Sequence, residues 1–486
     1  MDAEATETPN SPDPLETAQA EFQRYWGYTD FRPPQAEVIR SLLTRQDALI
    51  VLPTGAGKSL CFQLPAILQQ GLTLVISPLI ALMEDQVTDL RQRQLPAASL
   101  HGQLSRFEKQ RLLGAIERQQ LRLLYLSPET LLSRAVWEQL CLPQVQINGL
   151  VVDEAHCLVE WGSTFRPSYR RLGTVRSALL GYKPAGAQIA IAAFTATADP
   201  ATQGTIQTVL GLQQPKLFRY SPYRANLALQ IQTVWSAAQR RWQVLRLIEA
   251  QSGSGLVYAR TRQDCQQLAT WLTEQGHPTV AYHGGLSAAE RRQLESQWLA
   301  GQQRFVVCTS AFGLGINKPN CRWICHFQAP LSLTEYIQEI GRAGRDGQPA
   351  IAVTLVSEPT GWLEPSDRDQ RRFFAQQLKS QQQAAQKLIP QLPQQGDARS
   401  LNQPESAIAL ALLHQAGQLT WQDPFHYVIH SGWNQQAIVG AKKPEQMLPY
   451  LKTTGCRWGF LLRAFGFGTE SRNLRCQHCD NCRNRP

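Results

Sequence analysis

Short, almost wholly apolar runs recur along the first two-thirds of the chain, each followed by turn residues and then a stretch with helical spacing. One series comprises residues 47–52, 73–77, 121–126, 149–152 and 188–194; a second comprises 255–258, 279–282, 305–308, 323–327 and 350–355. A strand exposed on one face alternates apolar and polar positions, whereas a strand covered on both faces is apolar throughout. The pattern therefore predicts an α/β fold of two parallel-sheet lobes in tandem, over residues 21–214 and 215–358, joined near 212–225. Residues 1–20 read as a disordered tail, acidic and polar at its start.

Beyond residue 358 the texture changes. Residues 370–395 are rich in Gln with spaced apolar positions, which predicts an exposed helix and then a Pro/Gln linker within 359–405. The periodicity of 406–417 predicts an amphipathic helix stopped by Gly417, and 418–429 a short hairpin. A winged-helix-like insertion over 406–450 is expected. Residues 451–486 hold the last four cysteines and form the expected small, mostly helical metal module.

Composition narrows the class. Apolar residues make up 43% and charged residues 18%, an ordinary globular balance. No apolar run is long enough to span a bilayer, so a cytoplasmic protein without membrane contact is expected. The formal charge of +10 favours a polyanionic partner, because a basic surface releases counterions condensed on nucleic-acid phosphates. Seven of the eleven cysteines are scattered, mostly within apolar runs, and read as reduced core residues. Clustering of the other four favours a metal over disulfides.

Candidate chemistry sits at the ends of the predicted strands. Leu52-Pro-Thr-Gly-Ala-Gly-Lys-Ser59 follows one strand and opens a helix. Thr54, Gly55, Ala56 and Gly57 can turn backbone N–H groups toward phosphate oxygens, where the helix N-terminus adds its positive end. Lys58 then suits the β- and γ-phosphates of ATP, and the Ser59 hydroxyl suits magnesium. Asp153 and Glu154 of Asp153-Glu-Ala-His156 follow another strand: Asp153 fits magnesium, and Glu154 fits orientation and deprotonation of an attacking water. Gln338-Glu-Ile-Gly-Arg-Ala-Gly-Arg-Asp-Gly347 belongs to the second lobe, and its Arg342 and Arg345 can complete the γ-phosphate site from across a cleft.

Together these blocks resemble the RecQ family of superfamily-two DNA helicases, over about residues 22–347 and again over 455–482. The resemblance implies two RecA-like lobes. It implies that Tyr28 stacks on adenine and that Arg32 and Gln35, in Gly27-Tyr-Thr-Asp-Phe-Arg-Pro-Pro-Gln35, read the base edge or its surroundings. It assigns Ser77-Pro-Leu-Ile-Ala-Leu-Met-Glu-Asp-Gln86 to DNA contact beginning at Ser77, and Phe194-Thr-Ala-Thr-Ala198 to coupling between lobes. Arg262 of Tyr258-Ala-Arg-Thr-Arg262 and His283 of His283-Gly-Gly-Leu286 are implied on the DNA side. Gly315, in Ala311-Phe-Gly-Leu-Gly-Ile-Asn-Lys-Pro319, is implied at the nucleotide. The family's aromatic-rich loop matches Ala155–Tyr169, where Trp161, Phe165 and Arg166 are implied to sense single-stranded DNA and signal Glu154 through His156. Aromatic faces that stack on bases fit this role on physical grounds as well. Ser163 stands where the family commonly has histidine.

Cys456, Cys476, Cys479 and Cys482 give one distant thiolate and a C-x₂-C-x₂-C run, a spacing that fits tetrahedral zinc. An iron–sulfur cluster is the rival metal, and His478 a substitute ligand. The family's helix carrying the first zinc ligand resembles Gly455-Cys-Arg-Trp-Gly-Phe-Leu-Leu-Arg-Ala-Phe-Gly466. The chain departs from the family in ending soon after Cys482, which implies a short form without the C-terminal domains that follow the zinc module in many relatives. The expected activity is ATP-dependent unwinding of duplex or forked DNA by 3′-to-5′ movement on single strands, in recombination and repair. A single-strand-binding protein or a topoisomerase is an expected partner. An RNA remodeller of the same superfamily and a silent DNA-binding scaffold are the alternatives.

Overall fold

The computed structural model describes residues 13–483 except 161, 163–164, 313–315, 317, 402, 431 and 433–445. The first sheet contains β1 (Ala48–Val51), β2 (Leu72–Ile76), β3 (Ala97–Leu100), β4 (Leu123–Leu126), β5 (Ile147–Val152), β6 (Ala190–Thr195) and β7 (Lys216–Arg219). Every pairing is parallel, in the order β3-β4-β2-β5-β6-β1-β7. Alternate residues of one strand serve opposite cores: Leu49 and Val51 join Leu74 on one face, whereas Ala48 and Ile50 join Val75 on the other. Burial on both sides is why the strand is apolar throughout.

The second sheet contains β8 (Leu227–Val234), β9 (Ser254–Tyr258), β10 (Ala281–Tyr282), β11 (Phe305–Cys308), β12 (Cys321–His326) and β13 (Ala350–Ser357). It too is parallel, in the order β10-β11-β9-β12-β13-β8. Both sheets thus match the expected pair of parallel-sheet lobes. Three of the thirteen strands in these sheets, β3, β7 and β8, were not anticipated from apolar runs. Because β7 pairs with β1, the first sheet extends to Arg219, past the boundary expected at 214.

A helix Ser366–Leu388 leaves the second lobe, as expected for the Gln-rich stretch. The linker expected next instead supplies β14 (Gln395–Asp397), which joins β15 (Leu419–Trp421) and β16 (His426–Ile429) in an antiparallel sheet ordered β14-β16-β15. The helix expected at 406–417 is Pro404–Gln415. Residues 433–445 of the expected insertion lie outside the described residues.

The cysteine module packs on the second lobe and shares its core through Met447, Tyr450, Trp458, Leu461 and Phe465. Trp458 Nε1 donates to the Leu227 carbonyl at 3.1 Å, and Asp480 accepts from Ile231 N at 2.8 Å. The module therefore covers β8, a sheet edge that would otherwise present unpaired backbone groups. Among the described residues, no helix is long and apolar enough to cross a membrane.

Candidate functional site

In a parallel sheet all strand C-termini lie along one edge, and ligands gather there. β2, β5, β6 and β1 are consecutive neighbours, so Ser77, Asp153-Glu154, Thr195 and the Pro53–Ser59 loop emerge side by side. The loop is fixed from both ends: Leu52 N donates to the Thr195 carbonyl at 3.0 Å, and helix Lys58–Leu68 starts where the loop ends. Gly55 and Gly57 take left-handed φ values of 87° and 77°. A Cβ on Gly57 would come within 2.3 Å of Gln35 Nε2, so only glycine fits at that contact.

Gln35 is buried and bridges two segments. Its Oε1 accepts from Arg32 N at 2.9 Å, and its Nε2 donates to the Ala56 carbonyl at 3.2 Å. Gln35 thus ties the backbone of Arg32 to the phosphate loop. Tyr28 is 57% exposed, with its ring 5.6 Å from that of Phe22.

The carboxylates face that loop. Lys58 Nζ lies 3.4 Å from Glu154 Oε1. Burial pushes Asp153 up to about 7, reinforced by the Glu154 charge. For Glu154 burial pushes upward as well, but Lys58, His156 and Arg342 outweigh it and hold the carboxyl below its usual range. Glu154 also adopts φ 47°, a left-handed conformation uncommon for a residue with a side chain. His156 is buried against it, with Nδ1 3.3 Å from Glu154 Oε2 and 3.0 Å from Thr195 Oγ1.

The second lobe closes the site. Gln338 Nε2 stands 2.9 Å from His156 Nε2, and Thr54 Oγ1 donates to the Gly341 carbonyl at 3.1 Å. Arg342 lines the interlobe cleft with Glu154, His156 and Gln338, and is 8% exposed. Arg345 runs beside Gly55, and its Nη1 donates to the Ile316 carbonyl at 2.9 Å. Burial, with Arg342 and Arg224 nearby, lowers Arg345 to about 10. The two arginines thus reach different parts of the first lobe: Arg342 the carboxylates, Arg345 the phosphate loop.

Three contributors were missed in the sequence. Gln338 was quoted within its motif but given no role, although it opens the motif that holds both arginines. Arg224, in the connection between lobes, donates to the Ala343 carbonyl at 2.7 Å and to that of Gly344. Asn226 donates to Gly344 at 2.8 Å, and a Cβ on Gly344 (φ 59°) would lie 2.7 Å from its amide nitrogen. Arg224 and Asn226 carry no motif; only the fold brings them under the arginine turn.

On the strand-contact side, Phe165 is 70% exposed, with the Arg166 guanidinium 5.9 Å from its ring and 3.5 Å from Glu129. Trp161 and Gly315 lie outside the described residues. Arg262 opens helix Arg262–Glu274 beside Gly284 and Gly285, and His283 contacts Gln266 at 3.0 Å, so these two expected residues adjoin. Ser77 is buried, 1% exposed, directly after the C-terminal end of β2 and beside the strand that carries the carboxylates.

Cys456, Cys476, Cys479 and Cys482 converge, with all four Sγ atoms within 4.8 Å of one another and Cys476 Sγ 3.9 Å from Cys482 Sγ. Ligands about 2.3 Å from one tetrahedral zinc stand just under 4 Å apart, so the thiolates fit a single ion. An iron–sulfur cube would hold them further apart. His478 is not part of the group; its Nδ1 lies against the Cys476 carbonyl.

Three family models match the chain: DEAD/DEAH box helicase over residues 32–205, helicase conserved C-terminal domain over 239–347, and RecQ zinc-binding over 425–483. The chain is 53% identical over 466 residues to the ATP-dependent DNA helicase RecQ of Synechocystis sp., covering 95% of this chain and 97% of that protein. It belongs to the RecQ family. This RecQ-family chain is also 39% identical to the ATP-dependent DNA helicase RecQ of Haemophilus influenzae, over 72% of its own length and 55% of that protein's. The zinc-binding match begins at 425, so the RecQ module takes in β16 and starts earlier than the expected 451. Among solved structures, Mycobacterium smegmatis Lhr bound to single-stranded DNA and AMP-PNP shares the fold at TM-score 0.57 and 20% identity, covering 88% of this chain and 62% of that one. S. cerevisiae Dbp5 bound to RNA and ADP BeF3 does so at TM-score 0.57 and 16% identity, covering 73% and 91%.

Proposed function

We propose that this RecQ-family protein is an ATP-dependent DNA helicase that moves 3′ to 5′ along a single strand and opens duplex or forked DNA in recombination and repair. The supporting observation is the convergence of both lobes on one buried pair of carboxylates: Arg342 faces Glu154, Gln338 meets His156, and Thr54 bonds Gly341.

ATP held by the Thr54–Ser59 loop brings its γ-phosphate toward Lys58, Arg342 and Arg345, and displaces the Lys58 charge from Glu154. Glu154 then accepts a proton from the attacking water. Charge spread over the transferring phosphoryl group is stabilised by guanidinium groups from the second lobe, an effect worth about 10³–10⁵ in rate. Ser59 and Asp153 supply the hard oxygen donors that suit magnesium, and a bound cation would offset the burial that raises Asp153. Bound magnesium would neutralise phosphate charge; zinc on the four thiolates is structural.

Because the guanidinium groups belong to one lobe and the phosphate loop to the other, hydrolysis requires closure, and product release permits opening. Each base pair opened costs about 1.4 kcal/mol of stacking. Tyr28, 57% exposed, suits adenine stacking, and Phe165 and Arg166 suit a base face and a phosphate. Strand displacement on duplexes with a 3′ or a 5′ tail tests activity and polarity together: unwinding that needs the 3′ tail is expected, and a requirement for the 5′ tail would reverse the assignment.

A further inference from the structure

The unit spanning residues 395–429 places helix Pro404–Gln415 on the β14-β16-β15 sheet, with a small core around Leu410, Leu413 and Trp421. The segments that flank it, helix Ser366–Leu388 before and helix Met447–Lys452 after, are fastened to the second lobe. Upstream, Asp367 accepts from Ser357 N at 2.6 Å and pairs with Arg240 at 3.3 Å. Downstream, Tyr450 donates to Tyr336 at 2.9 Å.

Its body nevertheless sits on the first lobe. Phe425, 5% exposed, joins that lobe's core and meets Trp137 edge to face, ring centroids 5.1 Å apart. The Arg171 guanidinium lies 4.9 Å from the Trp421 ring, and helix Pro404–Gln415 packs along the 3-10 helix Pro167–Thr174. That 3-10 helix begins directly after Arg166, and it also touches helix Cys157–Glu160, which directly follows His156. Its hydrogen bonds have poorer geometry than those of an α-helix, so its position depends on what packs beside it.

We propose that Trp421 and Phe425 are positioning residues for the aromatic-rich loop, acting through Pro167–Thr174. This rests on the reading of that loop as the single-strand sensor. The inserted unit is a brace from the second lobe to the back of the first. It holds Phe165 and Arg166 in place for a strand and ties their position to the spacing of the lobes.

Phe425→Ala is compared with the parent, with the volume-retaining Phe425→Leu and with Arg171→Gln, which removes only the cation beside Trp421. Phe425→Ala is expected to leave DNA-free ATP turnover unchanged. Amide exchange over residues 165–174 should accelerate, and the oligothymidylate concentration for half-maximal stimulation should rise about 5-fold, within the range for coupling residues that touch neither ligand. Phe425→Leu should restore most of both, and Arg171→Gln should move them in the same direction by less. Exchange over 165–174 unaltered in Phe425→Ala and Arg171→Gln overturns the brace. A Phe165→Ala variant with undiminished DNA stimulation overturns the sensor reading instead, while the exchange result continues to judge the brace.

Discussion

Glu154 sits in a left-handed backbone conformation beside the Lys58 ammonium. Such a conformation costs a non-glycine residue of order 1–3 kcal/mol and is retained where the surroundings demand it. Here the turn aims the carboxylate into the cleft shared with Arg342. Replacing Arg342 with Ala is expected to slow single-turnover hydrolysis about 10³–10⁵-fold while nucleotide affinity changes far less, since an arginine finger acts mainly on the transition state. Equal losses in binding and turnover would assign it a ground-state role. Gly57→Ala is expected to abolish measurable ATP binding, because the new methyl would displace Gln35 and strain a φ of 77°. At this scale the phosphate loop, the carboxylates and the arginines were legible, because phosphate chemistry demands those residue types at strand ends. Arg224 and Asn226 were not, since a side chain that bonds backbone carbonyls across a fold leaves no local pattern.

Interior strands announced themselves as apolar runs, whereas β8 did not. Its burial is mixed along Leu227–Val234, with Gln230–Gln232 half-buried and Thr233 exposed at the sheet edge, and its sequence mixes apolar and polar residues accordingly. β3, Ala97-Ala-Ser-Leu100, was missed for another reason: its small side chains carry little strand preference. In the inserted unit, His414 is half-buried near Arg170, and the partial loss of solvent lowers it from 6.5 to about 4. An unfolded histidine gains its proton as pH falls through 6.5, the folded one only near 4, so the folded unit loses stability across that interval. His414→Leu should flatten the pH dependence of unfolding between those limits; an unchanged slope would place the effect elsewhere. In the zinc module, Asp480→Ala strands the buried Arg457 charge and is expected to cost about 3–5 kcal/mol in unfolding free energy, measured by denaturant titration.

Across the whole molecule, two polar contacts that join the lobes, Thr54 to Gly341 and His156 to Gln338, lie at the nucleotide site. Gln338→Leu is therefore expected to leave ATP affinity near the parent value while weakening DNA stimulation of turnover about 10-fold, a loss typical of coupling energies between sites. Tandem lobes could be inferred from repeated apolar runs; the seating of the 395–429 unit on the first lobe could not, because it joins segments far apart in the chain.

The zinc module's hold on β8 has a consequence for damage. Cys476 and Cys482 are near neighbours, so an oxidant that joined them in a disulfide would remove two of the four thiolates that would hold zinc. The outer edge of β8, whose other edge stays paired with β13, would then offer the Leu227 carbonyl and the Ile231 amide to other molecules, a template for cross-chain association. Peroxide should therefore turn the solution turbid in step with zinc release, with clumping rather than simple inactivation as its signature.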